Sequence, residues 1–302
     1  MLQQAEHTPL LDHNELERLQ GMILDRRDRR RTVSSPYSGP AISRHRGYGM
    51  ELHDVRPYHP GDDIRHMDWR ATARSHKPTT KVYLEERQHS LLLITDRRPG
   101  MRFGTRGEIK AARAARVASI MTFTALAAQE HVAGLVIENG LIQFAPARTL
   151  SGVFPLIRAL AAPLHHTAPS PSTADEFHQV CTHIARHGER GTSVCLIGDF
   201  HDVDERYSPA LRYLAEQFEA IAIRIVDPAE RVLQATGRMR IVSPVTGMIT
   251  VIDSDDADIR QRYNDLMGQH SDKLRAIFTS AGFQYLTVDT DNDTFRQLGA
   301  LS

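Results

Sequence analysis

The chain has 302 residues, 41% of them hydrophobic, which suffices for one large domain with an appendage or for two domains. Its 37 basic and 37 acidic residues cancel, which argues against a general polyanion-binding role and leaves only local patches. No apolar run reaches membrane-spanning length, and the N-terminus lacks the basic head and apolar stretch of a secretory signal, so a cytoplasmic location is expected.

In chain order, Leu16, Leu19 and Ile23 recur at helical spacing and predict an amphipathic helix over Asn14–Arg31. Its basic end, RRDRRR, reads as a solvated helix terminus whose cations suit the dipole, in preference to a nucleic-acid patch. Ser34–Pro40 reads as a linker. The next stretch, from Gly47 to Glu86, is dense in charge around the single tryptophan. In it Arg56, Arg65 and Arg74 are spaced to pair with Asp54, Asp62, Asp63 and Asp68, and the expectation is a hydrogen-bonded junction with Trp69 buried in it.

A strand is predicted over Lys81–Glu85, then Leu91–Thr95, an unbroken apolar run of the kind buried on both faces of a parallel sheet. A helix follows over Arg106–Gln129, and Asn139-Gly140 turns a hairpin between Val132–Glu138 and Leu141–Ala145. Phe154, Ile157 and Leu160 mark one helix, and Phe177, Val180 and Ile184 another. Thr192–Ile197 reads as a buried strand, Ser208-Pro209 as the N-cap and first residue of a helix, and Ala220–Val226 as a further strand. A small hairpin turning at Pro244–Gly247, a long helix carrying Ile259 to Ile277, a strand over Phe283–Val288 and a short helix from Thr294 to Leu301 complete the chain. Strands alternating with helices predict an α/β fold with a mostly parallel sheet and helices on both faces. The expected organisation is 1–40 helix and linker, 41–90 a small region with β structure, and 91–302 the α/β domain. Cys181 and Cys195 are too far apart in sequence for a CxxC site and read as reduced core thiols.

The string R-x-Y-x-P-G-D-D-I-R-x-M-D-W-x-x-x-A-R, carried by Arg56, Tyr58, Pro60, Gly61, Asp62, Asp63, Arg65, Asp68, Trp69, Ala73 and Arg74, resembles the signature of the bacterial family called domain of unknown function 58. The resemblance implies a von Willebrand factor A-like domain after the signature, and a frequent association with MoxR-type AAA+ ATPases. It also implies a metal-dependent adhesion site with Asp-x-Ser-x-Ser after the first sheet strand, a loop threonine and a later aspartate. Here the first element reads Asp96-Arg97-Arg98-Pro99-Gly100, with Thr173 and Asp199 at the other positions. Both serines are replaced, so a degenerate, metal-free site is expected, with Arg98 acting as a built-in cation toward Asp96 or Asp199. Thr173 also reads as a helix cap, in Thr173-Ala174-Asp175-Glu176.

No phosphate-binding GxxxxGK[ST] loop, Gly-x-Ser-x-Gly elbow or dinucleotide fingerprint is present. The reading is therefore a non-enzymatic interaction module without cofactor: an adaptor binding a MoxR-type ATPase or its client, with Arg97, Arg98 and Arg102 presenting positive charge at the sheet edge. The alternative is a metal-dependent nuclease or phosphohydrolase using His53, Asp54, His59, Asp62, Asp63, His66 and Asp68.

Overall fold

A computed structural model describes residues 9–33, 50–59, 67–75, 77–85, 90–164, 176–189, 191–243 and 247–298. These fall into two compact units, one made of residues 1–35 and 89–302 and the other of residues 36–88. The N-terminal helix groups with the larger unit.

The larger unit is built on six strands: β3 (Ser90–Asp96), β4 (His131–Ile137), β5 (Leu141–Ala147), β6 (Thr192–Gly198), β7 (Glu219–Val226) and β10 (Gln284–Asp289). Their spatial order is β10-β7-β6-β3-β4-β5, all parallel except the edge strand β5. Successive side chains on a strand point to opposite faces. Accordingly Leu91 and Leu93 enter one core with helices α1 (His13–Val33), α3 (Lys110–Ala127) and α4 (Leu150–Ala161), whereas Ile94 enters a second. The second core is closed by α5 (Glu176–His187), α6 (Ser208–Gln217) and α7 (Ala257–Ser280). The α/β architecture, with a mostly parallel sheet and helices on both faces, is as expected.

Several local expectations are corrected. The helix expected from Arg106 begins at Lys110, because Thr105 is held by Asp227 and the Lys110 amide bonds to the Phe103 carbonyl. Ser208 lies inside α6 and Tyr207 caps it, because a short 3-10 turn, Glu205–Tyr207, runs directly into the helix. Phe154 is exposed; the buried stripe of α4 is Val153, Leu156, Ile157 and Leu160. The linker over 34–40 and most of the Pro244–Gly247 turn lie outside the described residues, but the hairpin itself is present as β8 (Arg238–Val242) and β9 (Ile249–Asp253). Cys181 and Cys195 are buried free thiols, pushed up to about 12 by burial. Among the described residues no helix is long and apolar enough to cross a membrane.

The smaller unit pairs β1 (Met50–Pro57) with β2 (Thr79–Glu85) antiparallel, with an irregularity between Leu52 and Asp54, and carries helix α2 (Trp69–Ser75). Asp68 caps that helix, its carboxylate accepting from the amides of Arg70 and Ala71 at 3.0 Å. Trp69 does not fill a core: it is 64% exposed, as the first residue of a one-face helix too short to bury it. Arg74 bonds to the Arg70 carbonyl of its own helix, and Arg56 pairs through its backbone with Thr80. Tyr58 is half-buried and Ala73 exposed. Pro60, Gly61, Asp62, Asp63 and Arg65 lie outside the described residues, and the expected Arg–Asp lattice lies there with them.

Candidate functional site at the carboxyl edge of the sheet

In open α/β sheets the crevice beyond the carboxyl ends of the strands is where side chains from separate loops converge. Here β3 ends at Asp96, β6 is followed by Asp199 and β7 by Asp227. Gly198 leaves room for this convergence: a Cβ there would sit 3.0 Å from the Asp96 Cβ, tighter than ordinary contact. Beyond Asp199, Phe200 is buried with φ of 57°, a left-handed conformation that non-glycine residues rarely adopt. This turn sends Asp199 and Asp202 to different partners.

Arg98 does not point to solvent. Its Nε lies 3.1 Å from both carboxylate oxygens of Asp96, and one terminal nitrogen is 2.8 Å from Asp96 Oδ2. The other side of the guanidinium meets Asp202 at 2.5 and 3.0 Å, with Glu176 3.6 Å away. Burial disfavours the charged arginine, but Asp96 and Asp202 outweigh it and hold its pKa above the ordinary value. Burial raises Asp96 despite Arg98, and raises Glu176 likewise.

A second cation sits beside this one. Lys110, fully buried at the start of α3, places Nζ 2.9 Å from Asp199 and 2.6 Å from Glu230. Burial again opposes its charge, and Asp199 and Glu230 overcome that and raise it. In return Asp199 sits well below the usual carboxylate range: burial pushes it up, and Lys110 and His201 more than offset this. Glu230 is lowered, with burial outweighed by the His201 hydrogen bond and by Lys110. His201 reaches Glu230 at 3.1 Å and stacks on His270 of α7, centroids 5.4 Å apart. Asp227 forms a capping box with Glu230 and receives the amide and hydroxyl of Thr105 and the hydroxyl of Thr290.

The residues present do not fit a divalent cation. Hard cations need convergent free oxygens, usually six to eight for Ca²⁺ and near-octahedral for Mg²⁺. Here the oxygens of Asp96 and Asp199 face an arginine and a lysine. Among the described residues no cluster of three or more His, Cys, Asp or Glu has metal-holding geometry. Gly100 supplies no side chain, and Thr173 lies outside the described residues.

The expectation that Arg97 and Arg98 present free positive charge is overturned. Arg97 is 1% exposed and donates to the carbonyls of Leu160, Ala162 and Pro163 at 2.8 to 3.1 Å, and to that of Ala159, at the end of α4. Both arginines are consumed inside the fold. Residues whose importance the motif comparison missed are Lys110, Glu230 and Glu176. Glu230 had a signal, since Asp227-Pro228-Ala229-Glu230 spells a capping box. Lys110 had none: the sequence places it inside the helix expected from Arg106, and its partners Asp199 and Glu230 are far away in the chain.

Over 248 residues the chain is 26% identical to Uncharacterized protein Mb1516 of Mycobacterium bovis and to Uncharacterized protein Rv1480 of Mycobacterium tuberculosis, covering 82% of this chain and 77% of each relative. Among solved structures, the conserved hypothetical protein BatB from Bacteroides thetaiotaomicron overlays with a TM-score of 0.41 at 13% identity, covering 70% of this chain and 94% of that one. A von Willebrand factor type A structure from Catenulispora acidiphila overlays with a TM-score of 0.33 at 16% identity, covering 63% and 45%. Residues 54–273, well over half of the sequence, match the family described as Protein of unknown function DUF58, and the chain belongs to that family.

Proposed function

We propose that this chain is a non-enzymatic protein-interaction module, acting in the cytoplasm as an adaptor for a MoxR-type AAA+ ATPase. The observation that carries this reading is the pairing of Arg98 with Asp96 and Asp202, and of Lys110 with Asp199 and Glu230, with every one of these side chains at most 9% exposed. Carboxylates held this way are neutralised by the protein itself, so the edge is a preformed, rigid surface rather than a place to activate water. What remains outward is the loop Phe103–Gly107, in which Phe103 is 43% exposed and Arg106 is exposed. That loop is anchored by Thr105 to Asp227 and flanks an open groove of about 670 Å³ lined also by Arg231, Val232 and Asp289. An aromatic beside an arginine is the composition of interface anchors, and the exposed Arg106 suits an acidic partner segment, whereas Arg231 is paired with Asp289 at 2.5 Å.

The test is binding to a purified MoxR-type AAA+ ATPase, measured by calorimetry. The double variant Phe103→Ala, Arg106→Ala is expected to weaken the complex about tenfold or more and to flatten its salt dependence, with an unchanged melting temperature. Normal binding by that variant places the contact elsewhere. Phosphoester cleavage by the purified protein with Mn²⁺, lost on Asp62→Ala, replaces this reading with the hydrolase.

A further inference from the structure

We infer that the β8–β9 hairpin is a self-association surface, on which a second copy of this chain adds its own β9 antiparallel across a two-fold axis at Val251. The hairpin stands apart as its own two-stranded sheet. The bonds at its two ends set the ladder's phase: Ser243 N–H to Met248 C=O, and Ser254 N–H to Gly237 C=O, both 2.9 Å. Antiparallel ladders alternate bonded and non-bonded pairs. With the register Val242↔Ile249, Arg240↔Val251 and Arg238↔Asp253, these three are the non-bonded pairs. The backbone groups of Ile249 and Val251 therefore point away from β8, to an open edge. The side chains of the same residues share one face with Val242, and Val242, Ile249 and Val251 are each at least half exposed.

A two-stranded ribbon with an open apolar edge is the arrangement that natural proteins otherwise blunt or cover. Charge decides which edge a second copy can use. Antiparallel pairing of β8 with its own copy, centred on Arg240, would set Arg240 against itself, and like charges directly opposite are destabilising. Pairing of β9 with its copy sets Val251 against Val251 and Ile249 against Asp253, with no like charges opposed. Asp253 keeps Arg238 of its own chain alongside. The match is self-complementary, as a two-fold interface requires, and it closes, because each chain offers one β9 edge.

Sedimentation of the 302-residue chain is expected to show a dimer at tens of micromolar. Val251→Lys, which sets two ammonium groups across the axis, is expected to give a monomer of unchanged circular dichroism. Arg240→Glu on the other edge is expected to leave the dimer intact. An independent readout is hydrogen exchange: the amides of Ile249 and Val251 gain protection with protein concentration, while that of Thr250, bonded within the hairpin, does not change. A wild-type chain that stays monomeric with no such protection, or a folded Val251→Lys chain that stays dimeric, overturns the proposal.

Discussion

Arg98 occupies the space between Asp96 and Asp202 and satisfies both. Removing one partner of a buried ion pair leaves an uncompensated charge, which typically costs about 3–5 kcal/mol. Arg98→Ala is expected to lose about that much stability in urea unfolding, and Lys110→Met to do the same by stranding Asp199 and Glu230. Asp68→Ala, in the signature, removes a half-buried helix cap and is expected to cost at least about 1 kcal/mol. With both cations in place, calorimetric titration with Mg²⁺ or Mn²⁺ is expected to show no saturable binding at this edge. Asp96 and Asp199 were legible in the sequence because each ends an apolar strand. Lys110 was not, because its partner Asp199 lies 89 positions away and only folding brings the two together.

Helix α4 shows how the edge is stiffened by whole elements. Thr149 caps its start, accepting from the Gly152 amide, and Arg97 gathers the carbonyls at its end. A guanidinium at a helix C-terminus satisfies orphan acceptors and complements the dipole. Arg97→Ala is expected to fray that end, to speed amide exchange in the last turn of α4 and to cost about 2–3 kcal/mol. The order and type of the sheet-domain elements followed from apolar runs and helical spacing. Their ends did not: the start of α3 is set by Thr105 bonding Asp227, and the start of α6 by a preceding 3-10 turn. Those are contacts and local geometry that periodicity does not encode.

The stability of the whole chain carries the mark of its buried ionisable groups. Asp199 and Glu230 are held below their ordinary pKa, so their contribution is present above the usual carboxylate range and is lost as pH falls. Lys110 is held above 10.5, so its contribution is complete below that value and is lost as pH rises through the folded-state pKa. His270 is pushed down to about 4 by burial, then by His201 and Arg224, so the unfolded chain takes up a proton first, below 6.5. Asp96 and Glu176, raised by burial, oppose the acid trend in part. Cys181 and Cys195, held up to about 12 by burial, lose their contribution as the unfolded chain's thiols ionise above 9. The melting temperature is therefore expected to be highest from about pH 7 to 9 and to fall from 6.5 toward 4. His270→Gln is expected to flatten that acid slope; an unchanged slope assigns it to the carboxylates instead.

Membership of the DUF58 family, the alternation of strands and helices, and the loss of both serine ligands were all readable in the linear chain, because they rest on residue identity and local period. The destination of the charges was not. Two adjacent arginines, Arg97 and Arg98, look alike in sequence, yet one caps α4 and the other is clamped between Asp96 and Asp202. Successive residues leaving a strand face opposite ways, so neighbours in the chain enter different surroundings. Which carboxylate or carbonyl waits on each side is decided only when distant loops meet at the sheet edge, and that meeting is a property of the tertiary structure alone.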